Sequence, residues 1–279
     1  MWLTNQPPKS GTCIQEKAAT VTHHLNHADP ADQPLVLAED QADGHLRLLT
    51  LNRHVNRNCL NIPMCEAIDQ AMLQAVADGA RVVLLQGGGT VFSSGADLSG
   101  GVYAEGFYET LLHMLGTIQT LPIPVIAWVN GPAIGAGTQL AMACDMRVVS
   151  DTAYFRVPIG DMAIALDEVT IANLENLVGG SLARTMLFTG ASLSHQQALA
   201  SGFAVAEDGF DEALSLAELV AAKAPLTLRH LKYEFSRTSH RPYDKSTREG
   251  VAAAAWHSAD VEESRIARAE KRSPRFTGR

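Results

Sequence analysis

Two glycine-rich loops hold the residues best placed by type and spacing to do chemistry. Gln86-Gly87-Gly88-Gly89 closes an apolar run and leads to Phe92-Ser93-Ser94-Gly95-Ala96-Asp97-Leu98. The second loop, Gly131-Pro132-Ala133-Ile134-Gly135-Ala136-Gly137, precedes an apolar helical stretch. Small residues let a ligand approach the main chain closely. At the second loop, the free amides of a helix start point outward with the positive end of the dipole, which suits developing negative charge on an oxygen. The same glycines also suit plain tight packing, and the loops taken alone leave both readings open.

Other chemistries fit less well. Gly135-Ala136-Gly137 follows a strand and opens a helix, as a dinucleotide-binding loop would. The third glycine of that fingerprint falls at Leu140, however, and no acidic residue closes a second strand at the required distance. There is no G-x-S-x-G nucleophile elbow. Cys13, Cys59, Cys65 and Cys144 form neither a C-x-x-C pair nor a zinc-spaced cluster, so they read as reduced thiols of a cytoplasmic protein. His23, His24 and His27 would bind a metal only if their segment were helical, and otherwise form a solvated polar stretch. His113 lies in an apolar helix-like segment, Phe107 to Ile118, with no identifiable partner acid. Tyr103, Phe107 and Tyr108 suit either an apolar ligand tunnel or the core, and Trp256 either closes a site or packs the helices around it. Asp167, just before the apolar run Val169 to Leu177, is placed to cap a helix. Asp145 falls at a helix-to-strand junction and reads as structural.

Short apolar runs of strand length must position these loops: Leu46 to Leu51, Arg81 to Leu85, Val125 to Val129 and Met146 to Val149. Met64, Ala67, Ile68, Ala71, Met72, Ala75 and Val76 repeat at three and four, with Pro63 near the start and Gly79 at the stop, which predicts a helix. Continuous apolar strands alternating with helices imply parallel strands with right-handed crossovers and a sheet covered on both faces. Leu121 to Cys144 carries no charge and is long enough for a membrane helix, but Pro122, Pro124 and Asn130-Gly131-Pro132 interrupt it. Strand, turn and buried helix is the better parse.

Composition narrows the partners. The net charge of −8 argues against nucleic acid, which needs a basic face. Hydrophobic and charged fractions of 46% and 19% belong to an ordinary globular chain. The pattern divides the chain into a polar leader (1–34) without a signal peptide and expected to be mobile, an α/β core (35–209) and a helical region (210–279). In the last part helices are expected over Ala213 to Ala221, Leu226 to Phe235 and Val251 to Ala269. The end from Ser264 to Arg279 is basic, which suits a solvated tail or one that contacts phosphates or another subunit.

Phe92-Ser93-Ser94-Gly95-Ala96-Asp97-Leu98 followed by Asn130 to Asp145 resembles the paired signature of the enoyl-CoA hydratase (crotonase) superfamily. Arg57-Asn58-Cys59-Leu60-Asn61 resembles its upstream R-N-A-L-N element, and Glu270-Lys271-Arg272 with Phe276 its C-terminal E-K-R tail. The resemblance spans Leu35 to Phe276. It implies an α/β crotonase (ClpP-like) fold of repeated β-β-α units, with C-terminal helices that drive assembly into a homotrimer or hexamer. It also implies an acyl-CoA thioester ligand and no cofactor beyond the coenzyme A that the ligand carries. The amides matching the family's oxyanion hole are those of Ala96 and Ala136. The adenine would lie along the backbone near Cys59 and Ser94, with Arg57 in the same element and Lys271 near the CoA phosphates.

The departures from the family carry as much information. Family hydratases hold a water between two glutamates, one three residues after the oxyanion-hole amide and one directly after a proline on a later strand. Here those positions are Gln139 and Ile159. Glutamine orients a water without taking its proton, and isoleucine does neither. Asp167, eight residues past Ile159, resembles in spacing the second acid of the dienoyl-CoA isomerase branch. Together with Ala165-Leu166-Asp167, the substitutions resemble an actinobacterial subgroup lacking both glutamates. Two expectations follow: an enzyme of acyl-CoA metabolism with weak or altered chemistry, or a non-catalytic acyl-CoA binder that presents acyl chains to a protein partner.

Overall fold

The computed structural model describes residues 33–99, 105–207 and 209–279. The leader assigned to residues 1–34, apart from its last two residues, lies outside the described residues, as do Cys13, the three leader histidines and Tyr103.

Pro34–Arg279 forms one compact unit. It opens with β1 (Val36–Gln41) paired antiparallel to β2 (Leu46–Leu51). After β2 comes α1 (Ile62–Ala77), whose Asn61 cap accepts from the Met64 amide and whose first turn carries Pro63. β3 (Val82–Gly87), α2 (Phe107–Thr120), β4 (Val125–Val129), β5 (Ala133–Ile134), α3 (Ala136–Ala143), β6 (Met146–Val149) and β7 (Tyr154–Arg156) follow. Next are α4 (Ile159–Met162), α5 (Glu168–Val178), α6 (Gly180–Thr189), β8 (Leu193–Ser194), α7 (His195–Ala200) and β9 (Ala206–Glu207). The helices α8 (Phe210–Ala221), α9 (Pro225–Phe235), α10 (Lys245–Trp256) and α11 (Ala259–Glu270) end the chain.

The main sheet runs β1-β2-β3-β4-β6-β9, parallel except for β1. Alternation along its strands explains the apolar runs. Leu49, Leu51, Val83, Leu85, Val125 and Ala127 face the larger core beneath α1, α2 and α3. Leu46, Leu48, Val82, Leu84, Ile126 and Val148 face Ala213, Ala217 and Ala221 of α8. With both faces covered, each fully buried aliphatic side chain stabilises the fold by about 1.5–3 kcal/mol.

Each inner strand of this sheet is followed by a short second-layer segment and then a helix. Leu60 follows β2, Ser93 to Ala96 follow β3, β5 follows β4 and β7 follows β6. Leu60 bridges Ala96, Ser93 bridges Ala133, β5 pairs with β7, and β7 pairs with β8. The expected β-β-α repeat is therefore present, and its second layer carries both glycine loops. Two local expectations differ. Ile159 opens the short helix α4 rather than sitting on a strand, because Pro158, its N-cap, has already left the β conformation. The helix expected over Val251 to Ala269 breaks at His257-Ser258, where Ser258 turns extended as an N-cap and Asp260 and Glu262 complement the new helix start.

The helical region is tied to the core through Asp145, whose Oδ2 accepts from the Val125 amide at 2.7 Å and from Lys232 Nζ at 2.5 Å. Lys232 is only 3% exposed. Asp145→Ala leaves that ammonium buried and unpaired, so it is expected to destabilise by about 3–5 kcal/mol in chemical denaturation. Lys232→Met, which removes the buried charge itself, should cost clearly less.

Candidate active site

The geometry of the site begins with the contact between the two loops. Gly95, at φ +89°, lies where an added Cβ would sit 2.4 Å from the Ile134 carbonyl oxygen and 3.4 Å from the Ala136 nitrogen. Gly137 lies where one would sit 2.4 Å from the Ser93 carbonyl oxygen. Only glycine permits that approach in both directions. The Ser93 amide donates to Pro132 O, and the Ile134 amide returns a bond to Ser93 O. Asn130 Nδ2 donates to the carbonyls of Gly87 and Gly89, and Asn58 Nδ2 to those of Gly88 and Val91. Thr138 Oγ1 donates to Ala133 O and Arg156 O, pinning the start of α3 to β5 and β7. The glycines thus serve packing, and packing is what brings the two loops side by side.

The Ala96 and Ala136 amides are left over from this interlock. Asp97 N donates to Leu60 O and Leu60 N to Gly95 O, so the bridge passes over the Ala96 N–H. Gly135 N donates to Arg156 O, while Ala136 is the first residue of α3, beyond the reach of an intrahelical acceptor. Neither the Ala96 nor the Ala136 amide enters a hydrogen bond among the described residues. Both residues line one cavity of about 170 Å³, walled by apolar side chains including Leu98, Phe107, Leu111, Ile134, Met162 and Ile164. Free main-chain donors on an otherwise apolar wall suit a carbonyl oxygen whose attached chain is apolar.

Gln139 and Ile159 line the same cavity. Gln139 is 5% exposed, and its Nε2 donates to Thr170 Oγ1 at 3.3 Å. Asp167 does not line it. The Asp167 side chain caps α5 by accepting from Thr170 N at 2.8 Å, and also accepts from Tyr108 Oη at 2.9 Å. Burial works to raise its pKa, but the Thr170 and Tyr108 hydrogen bonds and the nearby His240 outweigh it and hold the carboxyl below its ordinary range. Phe107 and Tyr108 are cavity residues, whereas Trp256 is 77% exposed and away from it.

Beside the cavity, the segment of Arg57 and Cys59 runs along Ser94 and Ala96. Ser94 N donates to Arg57 O, and Arg57 and Asn58 both take positive φ to make the turn. Arg53 Nη1 donates to Cys59 O, to Cys59 Sγ and, at 2.8 Å, to Asp97 Oδ2. Burial raises the Cys59 thiol pKa against the lowering effect of Arg53. Lys271 comes from a separate element. It sits in the left-handed cap of α11, where the neighbouring Arg272 pairs with Glu263 and Glu270. The last residues fold back, with the Thr277 and Gly278 amides donating to Asp260, so the basic end is held rather than freely solvated.

A sequence model of the enoyl-CoA hydratase/isomerase family matches residues 41–279. The chain belongs to that family. It is 38% identical over 242 residues to a probable enoyl-CoA hydratase, echA6, of Mycobacterium leprae, covering 85% of this chain and 98% of the relative. Its fold resembles that of an enoyl-CoA hydratase of Bacillus anthracis (TM-score 0.77, 27% identity, 88% of this chain and 100% of the other). It likewise resembles an enoyl-CoA hydratase/carnithine racemase of Magnetospirillum magneticum (TM-score 0.78, 26% identity, 88% and 97%). The crotonase fold expected from the two signatures is the fold of these relatives.

A larger cavity, about 480 Å³, lies between the end of α3, α5 and α9. It holds the Lys232–Asp145 pair and neither free amide, so size alone would misplace the site. The sequence also left two partners unseen. Asp69 of α1 lies 3.7 Å from His113, which is half exposed and away from the cavity. His240, from the loop before α10, reaches Asp167. No short-range spacing signals either contact.

Asp97 gives a test of the loop geometry. Hydrogen bonds from Ser99 and Arg53 hold its carboxyl well below the usual range. A depressed carboxyl stabilises the fold above its unfolded pKa of about 3.9 and loses that contribution as pH falls through the folded value. The Tm gap between wild type and Asp97→Asn is therefore expected to be widest near neutral pH and to narrow steadily below about pH 4. A gap independent of pH would mean that Asp97 does not act through its charge.

Proposed function

We propose that this chain binds acyl-CoA thioesters in the cavity between the two glycine loops and hydrates enoyl-CoA poorly or not at all. The observation that carries the reading is the pair of unused amides, Ala96 and Ala136, on an apolar cavity whose other relevant positions are Gln139 and Ile159. Main-chain donors polarise a thioester carbonyl whatever the side chains nearby, so binding and polarisation survive the loss of acid–base groups. Syn-hydration does not. Each positioned acid–base group contributes roughly a hundred- to ten-thousandfold, and here an amide and an alkyl group stand in their places. Fold membership does not restore the missing chemistry, since function resides in the site.

In this reading Arg57, Cys59 and Ser94 form the backbone channel for the adenine end, and Lys271 serves the CoA phosphates. The acyl chain lies against Phe107, Leu111 and Met162. Coenzyme A enters only as part of the ligand, and the bound chain is passed to a protein partner of fatty-acid metabolism in the cytoplasm. No helix among the described residues is long and apolar enough to cross a membrane. Apolar side chains exposed on the helical region, Phe235 at 73% and Trp256 at 77%, support assembly into a trimer or hexamer. Light scattering should give a trimer or a multiple of it, and a stable monomer would contradict this.

Turnover measured beside a binding titration tests the main claim. Saturated and unsaturated acyl-CoAs are expected to bind with similar affinity. Crotonyl-CoA and longer enoyl-CoAs should be hydrated at least about a thousandfold more slowly than by a two-glutamate relative. Gln139→Glu alone should recover little, because the second proton-transfer partner is still absent. Rapid hydration by wild type that survives Asp167→Asn would overturn the proposal. Rapid hydration abolished by Asp167→Asn would instead make this an enzyme that uses that carboxylate.

A further inference from the structure

Asp167 is the centre of a polar cluster that joins the cavity wall to the helical region. Its Oδ1 accepts from the Thr170 amide and from His240 Nε2, the latter at 2.9 Å, and its Oδ2 accepts from the phenol of Tyr108. Its own amide donates back to the Tyr108 oxygen at 3.0 Å. Tyr108 and Leu166 both line the cavity. The first turn of α2, which carries Phe107 and Tyr108, has no side-chain cap of its own. The Asp167 contacts therefore fix that turn sideways against the start of α5.

The state of His240 follows from its partners. Gln119 Oε1 accepts from the main-chain N–H of His240 at 3.0 Å, which identifies that atom as the amide oxygen. The same oxygen lies 2.9 Å from His240 Nδ1, so that nitrogen must donate to bond with it. On the other side of the ring, Nε2 meets a carboxylate oxygen, which only accepts. Both bonds exist together only when both ring nitrogens carry protons. The side chain is 9% exposed, so a bond lost here is not simply replaced by bulk water. Asp167 comes from the start of α5 and Tyr108 from α2. Arg241 and Tyr243, from its own segment, rest on α2 at Gly116, Thr117 and Thr120. Lys232 and Asp145 are paired with each other along the larger cavity that Gln119 and Ser239 also line.

We propose that His240 is a positioning residue for the acyl cavity. As an imidazolium it clamps Asp167 between Gln119 and Tyr108, so a residue of the helical region sets the position of the cavity wall formed by α2. The clamp is complete while Asp167 is ionised and His240 is protonated. It loses one of its two ring bonds if the imidazole gives up a proton. This inference rests on the acyl-binding reading and assigns His240 no contact with the ligand.

The test compares affinity for a saturated acyl-CoA with affinity for free CoA, from about pH 6 to about pH 8.5. The ratio cancels ionisation of the CoA moiety. In wild type it is expected to fall on alkalinisation by up to about tenfold, the equivalent of one charge-assisted hydrogen bond. His240→Ala should lower the ratio at every pH. His240→Gln, whose amide still donates to Asp167, should hold it near the wild-type acidic value and remove the pH dependence. Hydrogen exchange of the unliganded protein should show the first turn of α2 losing protection in His240→Ala and keeping it in His240→Gln. A ratio and a pH profile unchanged in both variants would overturn the clamp while leaving acyl binding intact. Absence of acyl-CoA binding in wild type would overturn the acyl-binding reading and the clamp's role with it, and the exchange data would still report whether His240 holds the wall.

Discussion

Everything in the site depends on how closely two loops approach each other. Gly95 and Gly137 each face a carbonyl oxygen of the opposite loop at a distance that excludes any side chain. That contact, reinforced by Asn58, Asn130 and Thr138, sets the loops so that the amides of Gly95, Asp97 and Gly135 are used while those of Ala96 and Ala136 are not. A closely packed interlock of this kind presents its remaining dipoles already oriented, which gives main-chain donors their value at a carbonyl.

The rest of the fold supplies the support. Parallel strands buried on both faces hold the loops at one end of each β-β-α turn, and α8 closes the outer face of the sheet. Among the described residues two ion pairs tie the helical region to the core, and both end at helix or strand junctions. Lys232 meets Asp145 where α3 gives way to β6, and His240 meets Asp167 at the cap of α5. Such ties combine a charge with a main-chain amide partner, so the carboxylates remain satisfied even where they are partly buried. The cavity wall is thus built by the core and braced by the C-terminal helices.

Much of this was legible in the residues. The strands over Leu46–Leu51, Val125–Val129 and Met146–Val149 announced themselves because burial on both faces demands unbroken apolar runs. Asp167 as a helix cap was likewise local, since the signal is one carboxylate before an apolar helix. The glycines of the two loops marked close backbone approach but left packing and a ligand site both open, and the site reading came from the resemblance of the two signatures. What could not be read was anything set by long-range contact. His240 meets Asp167 across 73 positions, and Asp69 meets His113 through the packing of α1 on α2. The break at Ser258 was missed because the apolar period continues through it, while the cap that ends it is a single serine.

The proposed function rests on two free main-chain donors, Ala96 and Ala136, beside Gln139 and Ile159, side chains that cannot take a proton from water. That proposal separates polarisation from hydration and makes recognition of the carbonyl the site's principal capacity. Vibrational spectroscopy of a saturated acyl-CoA labelled with carbon-13 at the thioester carbonyl measures that capacity most directly. The account predicts that the carbonyl stretch moves to lower frequency on binding, as two amide donors require, and that Gln139→Ala leaves the shift unchanged. A carbonyl band at its solution position in the bound ligand would contradict it.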